Sequence, residues 1–118
     1  MEILSILLEK DTNDCDVILC NDKIRKLICY CGNKNFLSKE NDIKKVYAFL
    51  AKDFIISKEK KYNCQKLEEY YNYRICGKLK QKNIVKFYDI DIELDNKIPD
   101  DIKIGEFICF QVSRLDIY

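Results

Sequence analysis

The sequence predicts an α+β domain in which one or two helices lie between two runs of three strands. Three observations predict this fold. The first and last thirds of the chain contain short apolar or alternating segments, the middle third has apolar residues at helical spacing, and 118 residues suit a single domain, residues 1–118. The expected architecture is a curved antiparallel sheet or a small, partly open β-barrel, with the order βββα(α)βββ.

The first three strands are expected at residues 2–9, 16–20 and 24–31, which read "EILSILLE", "DVILC" and "IRKLICYC". All three are rich in aliphatic residues, and the turn-forming pair Asn21 and Asp22 separates the second from the third. A segment with Gly32 and two asparagines then ends this run of strands.

The middle third favours helices. Ser38 is a suitable N-cap, and five apolar residues follow on one helical stripe, so a helix is predicted over 38–56. The stripe consists of Ile43, Val46, Tyr47, Leu50 and Phe54. A second, weaker helix is predicted over 58–70, with its buried side marked by Cys64 and Leu67.

From Tyr71 onward the apolar period becomes two, which predicts strands at 71–79 and 83–94 joined by a two-residue loop at Gln81 and Lys82. This hairpin would place Arg74 opposite Asp89. The last strand, within residues 106–118, is apolar on both sides and is therefore expected in the middle of the sheet.

The composition excludes most familiar enzyme designs. Without histidine there is no Ser-His-Asp or Cys-His catalysis, and no GxGxxG or Walker A sequence occurs. We therefore predict no catalytic residue, no cofactor and no enzymatic activity.

The seven cysteines are odd in number and follow no secretory signal, so reduced thiols are expected. A metal site of four thiolates is an alternative if a hairpin brings together Cys15, Cys20, Cys29 and Cys31. Buried, apolar thiols are favoured over that site, and no metal is predicted.

Charge is segregated along the chain. Residues 52–88 carry ten bases and four acids, whereas residues 89–101 carry six acids and one base. The segregation favours a non-catalytic binding protein, an inhibitor or immunity-type factor that occludes a nucleic-acid-processing enzyme and docks on its basic surface. The expected partner-binding residues are Asp91, Glu93, Asp95, Asp100 and Asp101.

An alternative is an OB-like domain that binds single-stranded nucleic acid, because lysines and tyrosines are interleaved in the basic segment. Its candidate residues are Lys78, Lys80, Lys82, Tyr62 and Tyr70. A third hypothesis is a Mg²⁺-dependent nuclease, since Asp91 followed by Asp101-Ile-Lys103 resembles the PD-(D/E)xK nuclease pattern over residues 91–103.

Lysines outnumber arginines 18 to 3 and only three glycines occur, a bias typical of AT-rich genomes such as those of some phages and mobile elements. No apolar run is long enough to span a membrane, and the first residues lack the basic region of a signal peptide. The predicted location is the cytoplasm of a bacterial or virus-infected cell, away from membranes.

Overall fold

The computed structural model of the protein describes residues 1–8, 12–39 and 42–117, except the side chains of residues 36, 38 and 39. The described residues form one mixed sheet of eleven strands and a short 3₁₀ helix, Lys34–Lys39. The strands are β1 (Glu2–Leu8), β2 (Cys15–Cys20), β3 (Leu27–Cys31), β4 (Lys45–Phe49), β5 (Lys52–Ile56), β6 (Asn63–Lys66), β7 (Tyr73–Gln81), β8 (Ile84–Phe87), β9 (Ile90–Leu94), β10 (Phe107–Val112) and β11 (Arg114–Ile117).

The order of strands across the sheet is β1-β2-β3-β11-β4-β9-β8-β7-β10-β5, and β6 pairs with β7 beside this path. Two neighbouring pairs are parallel, β3 with β11 and β4 with β9, and the others are antiparallel. The main path of the sheet therefore ends at β1 and β5, and β6 is paired on one side only.

Two long, bent ribbons of chain run through the sheet. Only Leu50 and Ala51 separate β4 from β5, and only Ser113 separates β10 from β11. Each half of one ribbon pairs antiparallel with a half of the other, with Leu115 opposite Ala48 and Cys109 opposite Ile55. The bend in both ribbons at the same level turns the sheet back over the core.

Strand β7 contacts two strands along one edge. Residues 73–76 pair with β6, and residues 78–81 pair with β8. Gly77 lies where one partner gives way to the other, and a Cβ atom there would be 2.6 Å from both the Lys86 carbonyl oxygen and Val85 Cγ1. Only glycine fits this junction without a shift of the neighbouring backbone.

The core lies inside the curve of the sheet, and burial alternates along β4, β8 and β9, whereas β1, β5 and β6 contain no buried residue. Its largest fully buried members include Phe87, Phe110 and Leu115. The Tyr73 hydroxyl accepts a hydrogen bond of 3.0 Å from the backbone amide of Ile28, which links β7 to β3, although the two strands are not neighbours in the sheet. The sheet thus curves round the core without closing.

A disulfide joins Cys76 of β7 to Cys109 of β10, which lie directly opposite each other in the register. The prediction of reduced thiols is wrong for these two residues. The other five cysteines are free.

The α+β fold is also wrong, because the described residues contain no α-helix and the sheet is mixed rather than antiparallel. The helix predicted over 38–56 is replaced by β4 and β5, in which burial alternates at Val46 and Ala48. Its proposed N-cap, Ser38, lies in the 3₁₀ helix. The helix predicted over 58–70 is replaced by β6 and its flanking turns.

The predicted strands at 2–9, 16–20, 71–79 and 106–118 are confirmed in type within the described residues, and the last is divided at Ser113. The predicted strand 83–94 is a hairpin of β8 and β9 that turns at Tyr88 and Asp89. Asp89 therefore cannot face Arg74, which lies opposite Gln111 and Gln65 instead. Over the described residues, no helix has the length and apolar character that a membrane crossing requires.

Candidate functional site

Among the described residues, the edge strand β1 carries the largest group of exposed apolar side chains. Four of its aliphatic residues are 40–61% exposed: Leu4, Ile6, Leu7 and Leu8. One edge of β1 pairs with β2. Along the other edge of β1, the described residues form backbone contacts only at the start of the strand. There the Ile43 amide donates to the Met1 carbonyl oxygen, and Glu2 forms an isolated antiparallel β-bridge with Asp42. Within the described part of the chain, Leu4 to Leu8 therefore present an unpaired backbone edge.

A cleft of about 1180 Å³ lies beside β1. Four apolar side chains line it: Ile3, Ile6, Leu37 and Tyr88. Ile3 and Ile6 point to the same side as their partners Leu19 and Val17, which are fully buried. This "β1 cleft" is therefore an extension of the core that the described residues do not fill. The β2–β3 turn, the 3₁₀ helix and the Tyr88–Asp89 turn form its other walls.

Carboxylates surround the β1 cleft. Glu2, Asp22, Asp42 and Asp89 lie at its rim with one lysine, Lys23. Glu2 lies in β1, Asp22 and Asp89 lie in two separate turns, and Asp42 forms an isolated bridge with Glu2, so the fold brings together acids that are distant in sequence.

The Met1 ammonium group bonds to two of these acids, at 3.1 Å from Asp42 Oδ1 and 2.7 Å from Asp89 Oδ2, and donates to the Ile43 carbonyl oxygen at 2.6 Å. Partial burial opposes ionisation of Asp89, but the bonds from the ammonium and from Asn21 outweigh it and hold its pKa below the usual 3.8. The four carboxylates carry four negative charges, and Lys23 and the Met1 ammonium carry two positive charges. The described rim therefore keeps a net charge of −2.

No family model, curated protein or solved structure matches the chain. The site must therefore be interpreted from its own chemistry. An apolar floor, a free strand edge and a negative rim together suit an extended segment that combines apolar side chains with lysine or arginine.

The acidic residues predicted to bind a partner are mostly engaged within the protein. Asp91 accepts a 2.9 Å bond from Lys80, and the Lys45 ammonium lies 3.2 Å from Glu93 and has its pKa raised by that bond. The Asp95 carboxylate accepts from the backbone amides of Leu50 and Ala51 at 2.7 and 3.1 Å, so it holds the bend between β4 and β5.

Asp100 lies 3.5 Å from Lys97 and is highly exposed, and Asp101 is also exposed. These two acids follow β9 and lie in a turn before Ile102. The predicted partner surface is thus reduced to its last two members, and its role stays a prediction.

The residues predicted to bind nucleic acid are not all in one place. Lys78 and Lys80 lie in β7 and Lys82 in the turn after it, whereas Tyr70 precedes β7 and donates a 2.9 Å bond to Asp16 of β2. Tyr62 is half-buried, with its ring 4.9 Å from Tyr88, 5.5 Å from Phe107 and 6.3 Å from Phe87. The lysines share a region of the surface, but the two tyrosines serve packing and strand contacts.

The four cysteines proposed as an alternative metal site do not converge. Cys15 and Cys31 are opposed in the β2–β3 register, whereas Cys20 lies opposite Glu2 at the far end of β2 and Cys29 lies opposite Val17. Burial raises the pKa of the Cys15 thiol to about 11. Among the described residues, no three Cys, Asp or Glu side chains are grouped so that they could hold a metal ion. The nuclease-like residues at 91–103 therefore do not form such a group either.

The sequence alone does not point to the residues of the β1 cleft. "EILSILLE" has apolar residues on both faces of a strand, which was the available signal, yet a strand buried on both sides gives the same pattern. Only the order of strands shows that β1 lies at an edge.

Proposed function

We propose that the protein is a non-catalytic binding protein that holds an extended, basic and apolar segment of a partner protein in the β1 cleft. The observation that carries the proposal is the unpaired apolar edge of β1 beside an acidic rim. Natural edge strands of this length usually carry lysine, proline or a covering element, and the described part of β1 has none of the first two.

The backbone of β1 supports strand addition as the mode of binding. A partner strand would bond to the free amides and carbonyls between Leu4 and Leu8, and its alternate side chains would enter the cleft against Ile6 and Tyr88. Lysine or arginine in that segment would meet Asp22 and Glu2 at the rim, which favours association at low salt.

The sequence-based hypothesis of an inhibitor is one form of this proposal. A nucleic-acid-processing enzyme has the required basic surface, and the proposal moves the docking position from Asp91 and Glu93 to the β1 cleft. In this form, the purified partner loses activity when the protein is added in equimolar amount. The cytoplasm stays the proposed location, and the redox state of Cys76 and Cys109 in cells tests it, because disulfides are rare in cytosolic proteins.

Selection from a random peptide library displayed on phage tests the proposal with the intact protein as bait. Enriched peptides are expected to alternate apolar residues and to contain lysine or arginine. Synthetic copies should bind by fluorescence anisotropy, and Ile6→Lys should weaken binding at least tenfold, about 1.4 kcal/mol, since it puts a charge on the cleft floor.

The matched control is Ile55→Lys, which makes the same change on the opposite edge strand at a residue that is 53% exposed. Enrichment without basic residues, or equal loss of binding in both variants, would contradict the proposal. Sedimentation velocity of the protein alone tests the competing occupant, a second copy of the chain. A concentration-dependent dimer that Ile6→Lys abolishes would assign the β1 edge to that second copy.

A further inference from the structure

The outer face of β7 and β8 carries a second surface that the β1 cleft does not use. Register places five residues in one row across neighbouring strands: Lys45, Asp91, Lys86, Lys78 and Phe107. The lysines are exposed, and Phe107 is half-buried at the end of the row.

Lys78 and Lys86 are directly opposed in this row. Side chains so placed have Cβ atoms about 5 Å apart, and like charges at that position repel. The two nearest acids are bonded elsewhere, Asp91 to Lys80 and Glu93 to Lys45. Among the described residues, neither Lys78 nor Lys86 forms an ion pair. An anion between the two ammonium groups would remove their repulsion.

More lysines border the same row. The Ser57 amide donates to the Phe107 carbonyl oxygen at 2.7 Å, which holds the β5–β6 loop beside Phe107. That loop exposes Lys58 and Lys60, and the β7–β8 turn exposes Lys82. We define the "lysine face" as Lys58, Lys60, Lys78, Lys82 and Lys86, none of which has an ion pair among the described residues.

Acids are few around the lysine face. Glu59 lies 3.4 Å from Lys61, Asp91 is bonded to Lys80, and the Glu106 carboxylate accepts from the Lys103 backbone amide. The local charge is therefore strongly positive, although the whole chain carries only +1.

We propose that the lysine face binds the phosphodiester backbone of single-stranded nucleic acid. Lys78 and Lys86 lie opposite each other on neighbouring strands, and Lys82 lies in the turn that joins these strands, so the three can make successive contacts along an extended anionic polymer. Phe107 is a partly exposed aromatic residue beside them, on which a base can stack. The contacts are to phosphate, so binding is largely independent of sequence. Neither a duplex nor an acidic polypeptide has an accessible base face. Only a single strand can therefore stack a base on Phe107, and this contact would favour it over the other two ligands.

The test is fluorescence anisotropy with a labelled single strand of about 20 nucleotides, longer than the 4–16 that one binding domain covers. If four of the five lysines contact phosphates, the slope of log K against log salt concentration should be about −2.8. The affinity should then fall about 50-fold between about 50 and 200 mM salt. In the Lys78→Gln/Lys86→Gln variant the slope should fall to about −1.4 and binding at low salt should weaken about tenfold.

The control is Lys26→Gln/Lys34→Gln, which removes the same charge from exposed positions outside the lysine face and should leave the slope unchanged. Phe107→Ala should weaken single-strand binding and spare a duplex. Equal effects of both lysine pairs, or polyglutamate bound as tightly as the oligonucleotide, would overturn the proposal. Lys86→Gln alone, with thermal unfolding monitored, serves if the double variant does not fold.

Discussion

The Cys76–Cys109 disulfide should contribute several kcal/mol to the free energy of unfolding. It joins residues 33 apart in sequence, on two strands that pair over six residues. The loop-closure relation for a crosslink gives about 12.5 cal/mol/K for a loop of this length, or roughly 3.7 kcal/mol at 25 °C. The perturbation is Cys76→Ala with Cys109→Ala, because alanine introduces no polar atom at these buried positions.

The assay is thermal unfolding followed by circular dichroism without reductant. A chain of 118 residues unfolds with an entropy of roughly 250 cal/mol/K, so each kcal/mol shifts Tm by about 4 °C. The double variant should therefore melt about 15 °C below the wild-type protein. Reductant should lower the Tm of the wild type to nearly the same value and leave that of the variant unchanged.

The control is Cys20→Ala, since Cys20 is a free, half-buried thiol outside the disulfide. That variant should keep both the Tm of the wild type and its response to reductant. Equal Tm values for the wild type and the double variant, or a wild type that reductant does not affect, would refute the argument.

Three further outcomes follow from single contacts. Gly77→Ala should lower the free energy of unfolding by about 1–3 kcal/mol in urea titration, because its Cβ would meet the backbone of β8, and Gly32→Ala, whose nearest contact would be 3.7 Å, is the matched control. Arg114→Met should cost about 3 kcal/mol, since it leaves the buried Asp116 carboxylate without its ion pair; Asp116→Asn added to it should recover part of the loss, and no recovery would contradict this. Asp89 has a lowered pKa, so its stabilising contribution is complete above the usual 3.8 and is lost as the pH falls below it; Asp89→Asn should therefore show a smaller drop in urea midpoint between about pH 6 and pH 3 than the wild type.

Strand-forming segments could be predicted from the sequence where apolar residues are β-branched or alternate, as in β2 and β7. The middle third could not, because its turns lack the usual residues. Leu50 and Lys60 take positive φ angles of 55° and 51°, values that favour glycine or asparagine. With no turn signal at Leu50, two short strands appeared as one continuous helical stripe.

The candidate site was harder to predict than the fold. Its acids come from Glu2, Asp22, Asp42 and Asp89, which are far apart in sequence, and no local spacing connects them. The acids between residues 89 and 95 are close together in sequence and therefore suggested a single surface. In the structure, Lys80 neutralises Asp91, and the Asp95 carboxylate binds the backbone at the bend between β4 and β5. Sequence shows where charge is concentrated but not which cation lies opposite it.

The position of β11 sets the order in which the chain can reach its final structure. This strand lies between β3 and β4, so the first hairpin cannot join the rest of the sheet until residues 114–117 have left the ribosome. Until then β3 has an open edge, and the apolar inner faces of both halves are exposed. Pairing over such sequence separations is slow. Until β11 is inserted, the nascent chain therefore keeps apolar surface and a strand edge exposed, which favours aggregation.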